Sequence, residues 1–174
     1  HMTPLANLAK QAVETYITTK KIIKPPKNFP STFLKKRAGV FVTIEEKDQE
    51  LRGCIGTYLP VRNNIAEETI YNAIAAATED YRFMPIQKNE LSNLTYTVSI
   101  LGQPEQILDI SDLNPKKYGV IVSTPDRLKT GLLLPDLEGV DTVEKQIIIA
   151  CQKAGINLSQ EKIVLYRFTT EKYQ

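Results

Sequence analysis

The sequence predicts a single α+β domain with a mixed or mainly antiparallel sheet. Three observations lead there. Segments with helical spacing and segments with strand alternation mix without the regular β-α-β rhythm of a parallel sheet. Two alternating runs flank a short polar stretch, the pattern of a hairpin. The 174 residues, 42% of them hydrophobic and 24% charged, suit one ordinary globular domain.

The first helix begins at the amino terminus. Thr3 is a side-chain cap, and Pro4 stands at the first helical position, where its missing N–H costs nothing. Leu5, Leu8, Ala9, Ala12, Val13, Tyr16 and Ile17 then recur on one helical face. Pro25, Pro26 and Pro30 make the stretch 24–30 an extended linker. Lys20, Lys21, Lys24, Lys27, Lys35, Lys36 and Arg37 make 20–37 basic, with no acidic residue among them. The whole chain has net charge +2, so the remainder is acidic by five. The expectation is a mobile, solvated basic arm.

In the hairpin, Val40, Val42 and Ile44 alternate with Phe41, Thr43 and Glu45. Polar residues 45–50 form the turn, and the second strand runs from Leu51 to about Tyr58, stopping at Pro60. A second helix starts after Asn63 or Asn64. Ala66, Ile70, Ala73, Ile74, Ala77 and Tyr81 share its apolar face, and it ends near Asp80. Strands follow at 96–101, 119–123, 131–134 and 163–168, with Pro125-Asp126 as a turn. A third helix is capped at Asp141 with Glu144 three residues on, carries Val143, Ile147, Cys151 and Ala154 on its apolar face, and closes at Gly155.

Absences narrow the chemistry. His1-Met2 reads as an expression-tag remnant, and His1 is the single histidine. A Ser-His-Asp triad, a Cys-His dyad and a Cys/His zinc site are thereby excluded. No Walker loop or Gly-x-Gly-x-x-Gly is present. Cys54 and Cys151 show no metal-type spacing, and no secretory signal or bilayer-length apolar run is seen. The expectation is a cytoplasmic protein with reduced thiols, no metal, no cofactor and no membrane contact. Nucleic-acid binding is the reading supported least, because only Phe29 and Phe33 accompany the basic run.

The richest segment is Leu51-Arg52-Gly53-Cys54-Ile55-Gly56-Thr57. In a strand, Arg52, Cys54, Gly56 and Tyr58 share one face, placing Arg52 and Cys54 roughly 7 Å apart at the backbone. A guanidinium that close favours a thiolate. Gly53 and Gly56 leave room for a ligand or another backbone, although glycines in strands equally mark bulges. Asp80-x-Arg82-Phe83 closes the second helix and is either part of a site or an ion pair fixing the helix exit. Pro135-Asp136 is a third candidate, with a plain strand terminator the favoured reading, and Cys151 is core.

This seven-residue segment resembles the signature of the AMMECR family. Other matching segments run in the same order: Gly39-Val40-Phe41-Val42-Thr43, Ala75-Ala76-Ala77 with Asp80, Arg82, Phe83 and Pro85, then Glu90-Leu91, Val98-Ser99-Ile100-Leu101, Gly119-Val120-Ile121-Val122, Leu133-Leu134-Pro135, and Cys151 with Lys153-Ala154-Gly155. The likeness spans about residues 5–168. It departs after Leu137, where the family is expected to carry an aromatic residue. The resemblance implies an AMMECR-type domain with a larger and a smaller lobe. It further implies kinship with protein A of the AmmeMemoRadiSam system, whose partners are a MEMO-type protein and a radical-SAM protein.

Two readings stay open. In one, the chain is part of an enzyme system. Cys54 is then nucleophile or redox group and Asp80 the proton carrier, while Arg52, Gly53, Gly56 and Arg82 hold an anionic small molecule. In the other it is a non-catalytic binding or adaptor module for those partner proteins.

Overall fold

A computed structural model describes residues 1–174. The chain forms two compact units, one of residues 1–101 with 171–174 and one of residues 102–170. Both are helices against antiparallel sheet, the α+β class expected.

In the larger unit, α1 (Pro4–Thr19) starts where Thr3 accepts a bond from the Ala6 N–H at 3.4 Å, and Pro4 occupies its first turn. Its face of Leu5, Leu8, Ala9, Ala12 and Val13 is fully buried. The hairpin is β1 (Val40–Glu46) and β2 (Leu51–Thr57), antiparallel, with Val42 opposite Ile55 and Thr43 opposite Cys54. After a short helix, α2 (Ser31–Lys35), and the hairpin comes α3 (Ile65–Thr78), capped by Asn64, whose side chain accepts from the Glu67 N–H. Strand β3 (Leu94–Leu101) pairs with β1, and the sheet order is β2-β1-β3-β8, with β8 (Thr170–Tyr173) at the far edge. Val40, Val42 and Ile44 meet α1 and α3 in one core, so α1 and α3 cover one face of the sheet. Buried apolar contact of this kind is the main stabilising contribution.

The basic stretch differs from the expected arm. It contains a short helix, α2 (Ser31–Lys35), and Ile23, Phe29, Phe33 and Leu34 pack against the core. Phe33 meets Tyr173 edge-on, ring centroids 5.7 Å apart. The lysines remain exposed. The prolines masked this helix, because Pro30 reads as a breaker yet is well tolerated just before a first turn.

The smaller unit holds β4 (Glu105–Ile107), β5 (Gly119–Ser123), β6 (Thr130–Leu133) and β7 (Val164–Phe168), in the order β4-β7-β5-β6. Helix α4 (Val143–Ala154) packs its Ala150 and Cys151 against Val120, Val122 and Leu133. Gly155 closes it at φ 71°, as its position predicts. The cap is one residue later than expected: Thr142, not Asp141, accepts the Lys145 N–H at 3.1 Å. Thr142→Ala should therefore cost about 1 kcal/mol in urea unfolding, and Asp141→Ala less than about 0.5 kcal/mol. Equal costs would return the cap to Asp141. Strands β4 and β8 are absent from the sequence reading because each is three or four residues long and mostly polar, without a usable alternation.

Candidate functional site

Strand β2 is the edge of its sheet, so alternate N–H groups along it face away from β1 and need a partner from elsewhere. The Cys54 N–H finds one in Asp80, donating to Oδ2 at 3.0 Å. Asp80 is brought there by α3, which runs back along the sheet and ends two residues earlier. The same carboxylate accepts three bonds from Arg82: from its backbone N–H at 3.1 Å, from Nε at 3.0 Å and from Nη2 at 2.8 Å. Arg82 holds the Asp80 carboxyl well below the usual range, at about 2, against the opposing effect of burial. The Arg82 guanidinium is raised in turn, by its hydrogen bonds to Asp80 above all.

Arg52 projects from β2 on the same face as Cys54. It forms a fork with Glu90, Nε to Oε1 at 2.8 Å and Nη2 to Oε2 at 3.1 Å. Glu90 is itself locked, since Oε2 accepts the Gln87 N–H at 2.7 Å at the start of a short 3₁₀ turn (Lys88–Asn93). Arg52 holds the Glu90 carboxyl below its ordinary value. Both guanidinium groups lie near the Phe83 ring, its centroid 5.8 Å from Arg52 Cζ and 5.4 Å from Arg82 Cζ. The Cys54 thiol is half-buried and lies 3.3 Å from Thr43 Oγ1 on β1.

Arg52, Cys54, Asp80 and Arg82 are thus gathered in one neighbourhood, but in roles other than those expected. Asp80 is expected to carry protons. A carboxyl that ionises near 2 is a weak base and is not protonated at neutral pH, so it serves instead as a clamp. Arg52 is expected to face a ligand, and its fork is already filled by Glu90. Gly53 and Gly56 are expected to leave room for a ligand. A Cβ at Gly53 would stand 2.2 Å from the Ala76 carbonyl oxygen of α3, and one at Gly56 2.2 Å from the Phe41 ring. The space beside both is occupied by the protein itself, so these glycines are packing devices. Of the two arginines beside Cys54, Arg82 keeps the more open side chain, 46% exposed against 11% for Arg52.

Sequence reasoning missed the partners. Glu90 was legible as the third residue after Gln87, the spacing of a capping box, but nothing local tied it to Arg52 across 38 residues. Glu68 is 1% exposed and accepts Thr57 Oγ1, the Val61 N–H and the Arg62 N–H. A charged residue on the apolar face of α3 was the signal for it.

The other thiol is inert by placement. Cys151 is 2% exposed and its thiol is pushed up by burial. A thiol reagent should label Cys54 in the folded protein and Cys151 at least about a hundredfold more slowly, because labelling there awaits opening of the core. Equal rates would contradict this.

The family model described as AMMECR1 matches residues 6–173. A Thermotoga maritima protein is 50% identical over 98% of this chain and 97% of its own length. A Clostridium acetobutylicum protein is 43% identical over 98% of this chain but only 36% of its own, so it carries substantial further polypeptide. The crystal structure of an uncharacterised protein from Pyrococcus horikoshii superposes with a TM-score of 0.87 at 35% identity, covering 97% of this chain and 88% of that one. No helix is long and apolar enough to cross a membrane.

Proposed function

The chain belongs to the AMMECR1 family, and we propose that it acts as a non-catalytic recognition module that docks a partner protein on the loop 80–85 beside Cys54. The observation that carries this reading is what the loop displays. Its one acidic residue, Asp80, is consumed internally, while Tyr81 is 95% exposed and Met84 80% exposed, flanking the open Arg82. An aromatic, a methionine and an arginine on a rigid base are the residue types enriched where proteins bind proteins. The clamp at Asp80 supplies the rigidity and removes the group best placed to move a proton. The Clostridium relative, in which this domain is about a third of the length, supports work alongside other polypeptide. The partners proposed are the MEMO-type and radical-SAM proteins of the AmmeMemoRadiSam system.

A second reading rests on a separate observation. Cys54 is half-exposed with Arg82 within electrostatic reach, which suits a thiolate nucleophile or redox group. One experiment separates the two. Each partner is captured on immobilised protein, comparing wild type with Tyr81→Ser/Met84→Ser and with Cys54→Ser. The docking reading expects the double variant to lose capture by at least about tenfold with an unchanged melting temperature, and Cys54→Ser to capture normally. Full capture by the double variant rejects it. Normal capture by Cys54→Ser with lost activity of the assembled system favours the thiol reading.

A further inference from the structure

A groove of about 610 Å³ lies in the larger unit, away from Cys54, between the basic stretch and the loop that leads into α3. Its size is that of a small-molecule site. Lys24 and Lys27 come to it from one side and Arg62 from the other, with Glu67 as the single acidic residue on its walls. Neither lysine and not Arg62 takes part in an ion pair. Pro26, Leu34 and Tyr71 supply apolar wall.

The cation on the second wall, Arg62, is held in advance. The Arg62 guanidinium lies 3.7 Å over the Tyr71 ring, which keeps it flat while leaving its edge N–H groups available. Its backbone is fixed from both sides. The N–H groups of Val61 and Arg62 donate to the buried Glu68 at 3.0 and 2.9 Å, and the Arg62 and Pro60 carbonyls accept from Arg37 at 2.9 and 3.3 Å. Burying the Glu68 carboxylate has a large desolvation cost, and what it secures is this loop. An ordinary connection between strand and helix needs no such anchor.

We propose that this groove binds a small organic anion, a phosphate or carboxylate on a flat apolar body, with Lys24, Lys27 and Arg62 receiving the charge and Tyr71, Pro26 and Leu34 the body. Planar fork and two point charges match a multivalent oxyanion, and phosphate and carboxylate share that chemistry. The site is distinct from the docking loop and does not rest on the recognition reading. A nucleic acid fits less well, since Tyr71 is the single aromatic ring on the walls and successive bases need successive rings to stack on.

The test uses 1-naphthyl phosphate, 1-naphthoate and neutral 1-naphthol as probes, with oligothymidine as the competing class, in titrations of the full chain followed by NMR. Saturable binding of at least one naphthyl anion, with shifts at Tyr71 and Arg62, and none of 1-naphthol, is expected. Arg62→Gln and Lys24→Gln/Lys27→Gln should each weaken it roughly tenfold or more. Lys35→Gln/Lys36→Gln, on the same basic stretch but off the groove, should bind as wild type. Should Arg62→Gln lower the melting temperature, the exposed Lys24/Lys27 pair decides alone. No saturable binding of either anion, full binding by the Lys24/Lys27 variant, equal loss in the Lys35/Lys36 variant, or tighter binding of oligothymidine overturns the proposal.

Discussion

Replacing Asp80 by alanine is expected to destabilise the larger unit by about 2–3 kcal/mol, although Asp80 adds no apolar surface to the core. The carboxylate is 4% exposed and accepts four bonds, one of them from the edge of the sheet. Removal orphans the Cys54 N–H at a strand edge and releases Arg82, whose partial exposure keeps the cost below that of a fully buried pair. The pH dependence has a definite sign. The Asp80 carboxyl ionises near 2 when folded, against 3.8 for the free group. The folded state therefore prefers the ionised form. Its contribution, about 2 kcal/mol from a shift of this size, is complete above the unfolded value and fades as the pH falls towards 2. Urea midpoints of wild type and Asp80→Asn should converge between pH 4 and 2, within roughly that window. A constant difference down to pH 2 would show that Asp80 is not the clamp.

Gly53→Ala is expected to be the next most damaging change, at the upper end of about 1–3 kcal/mol. The new methyl would press on the Ala76 carbonyl oxygen, and neither side yields cheaply, because one is an edge strand bonded to β1 and the other the last turn of α3, whose exit is tied to β2 by the bond from Cys54 N–H to Asp80. Gly56→Ala offers a contrast. Its methyl would meet the Phe41 ring, a half-buried side chain that can rotate away, so a smaller loss is expected. If these glycines instead cleared space for a ligand, both variants would fold normally and lose binding alone. Thermal unfolding of the two proteins distinguishes the cases. A Gly53→Ala protein as stable as wild type would return the signature to the ligand reading.

Much of the fold was readable because local rules and tertiary context agree. Pro4 after Thr3, alternation in 40–44 and 51–57, and Gly155 at a helix end each encode their own geometry within a few residues. The family resemblance drawn from 51–57 is the family found by comparison. Elements failed where the local signal is short or overridden. Ser31–Lys35 lies behind a proline, and β4 and β8 exist through their neighbours in the sheet rather than through a pattern of their own.

The neighbourhood of Cys54 divides in the same way. From sequence alone, alternation determined that Arg52 and Cys54 share a face, and composition determined that no histidine chemistry is available there. Only the tertiary structure decided what each charge does. Arg52 and Arg82 look alike in sequence, yet Arg52 is neutralised by Glu90 from 38 residues away and Arg82 by its neighbour Asp80, leaving Arg82 the more open. An ion pair's partner is set by distance and desolvation in space, neither of which sequence separation records. The vacancy beside Gly53 was likewise filled by α3, because a glycine shows that something comes close without showing whether it is a ligand or the protein's own backbone.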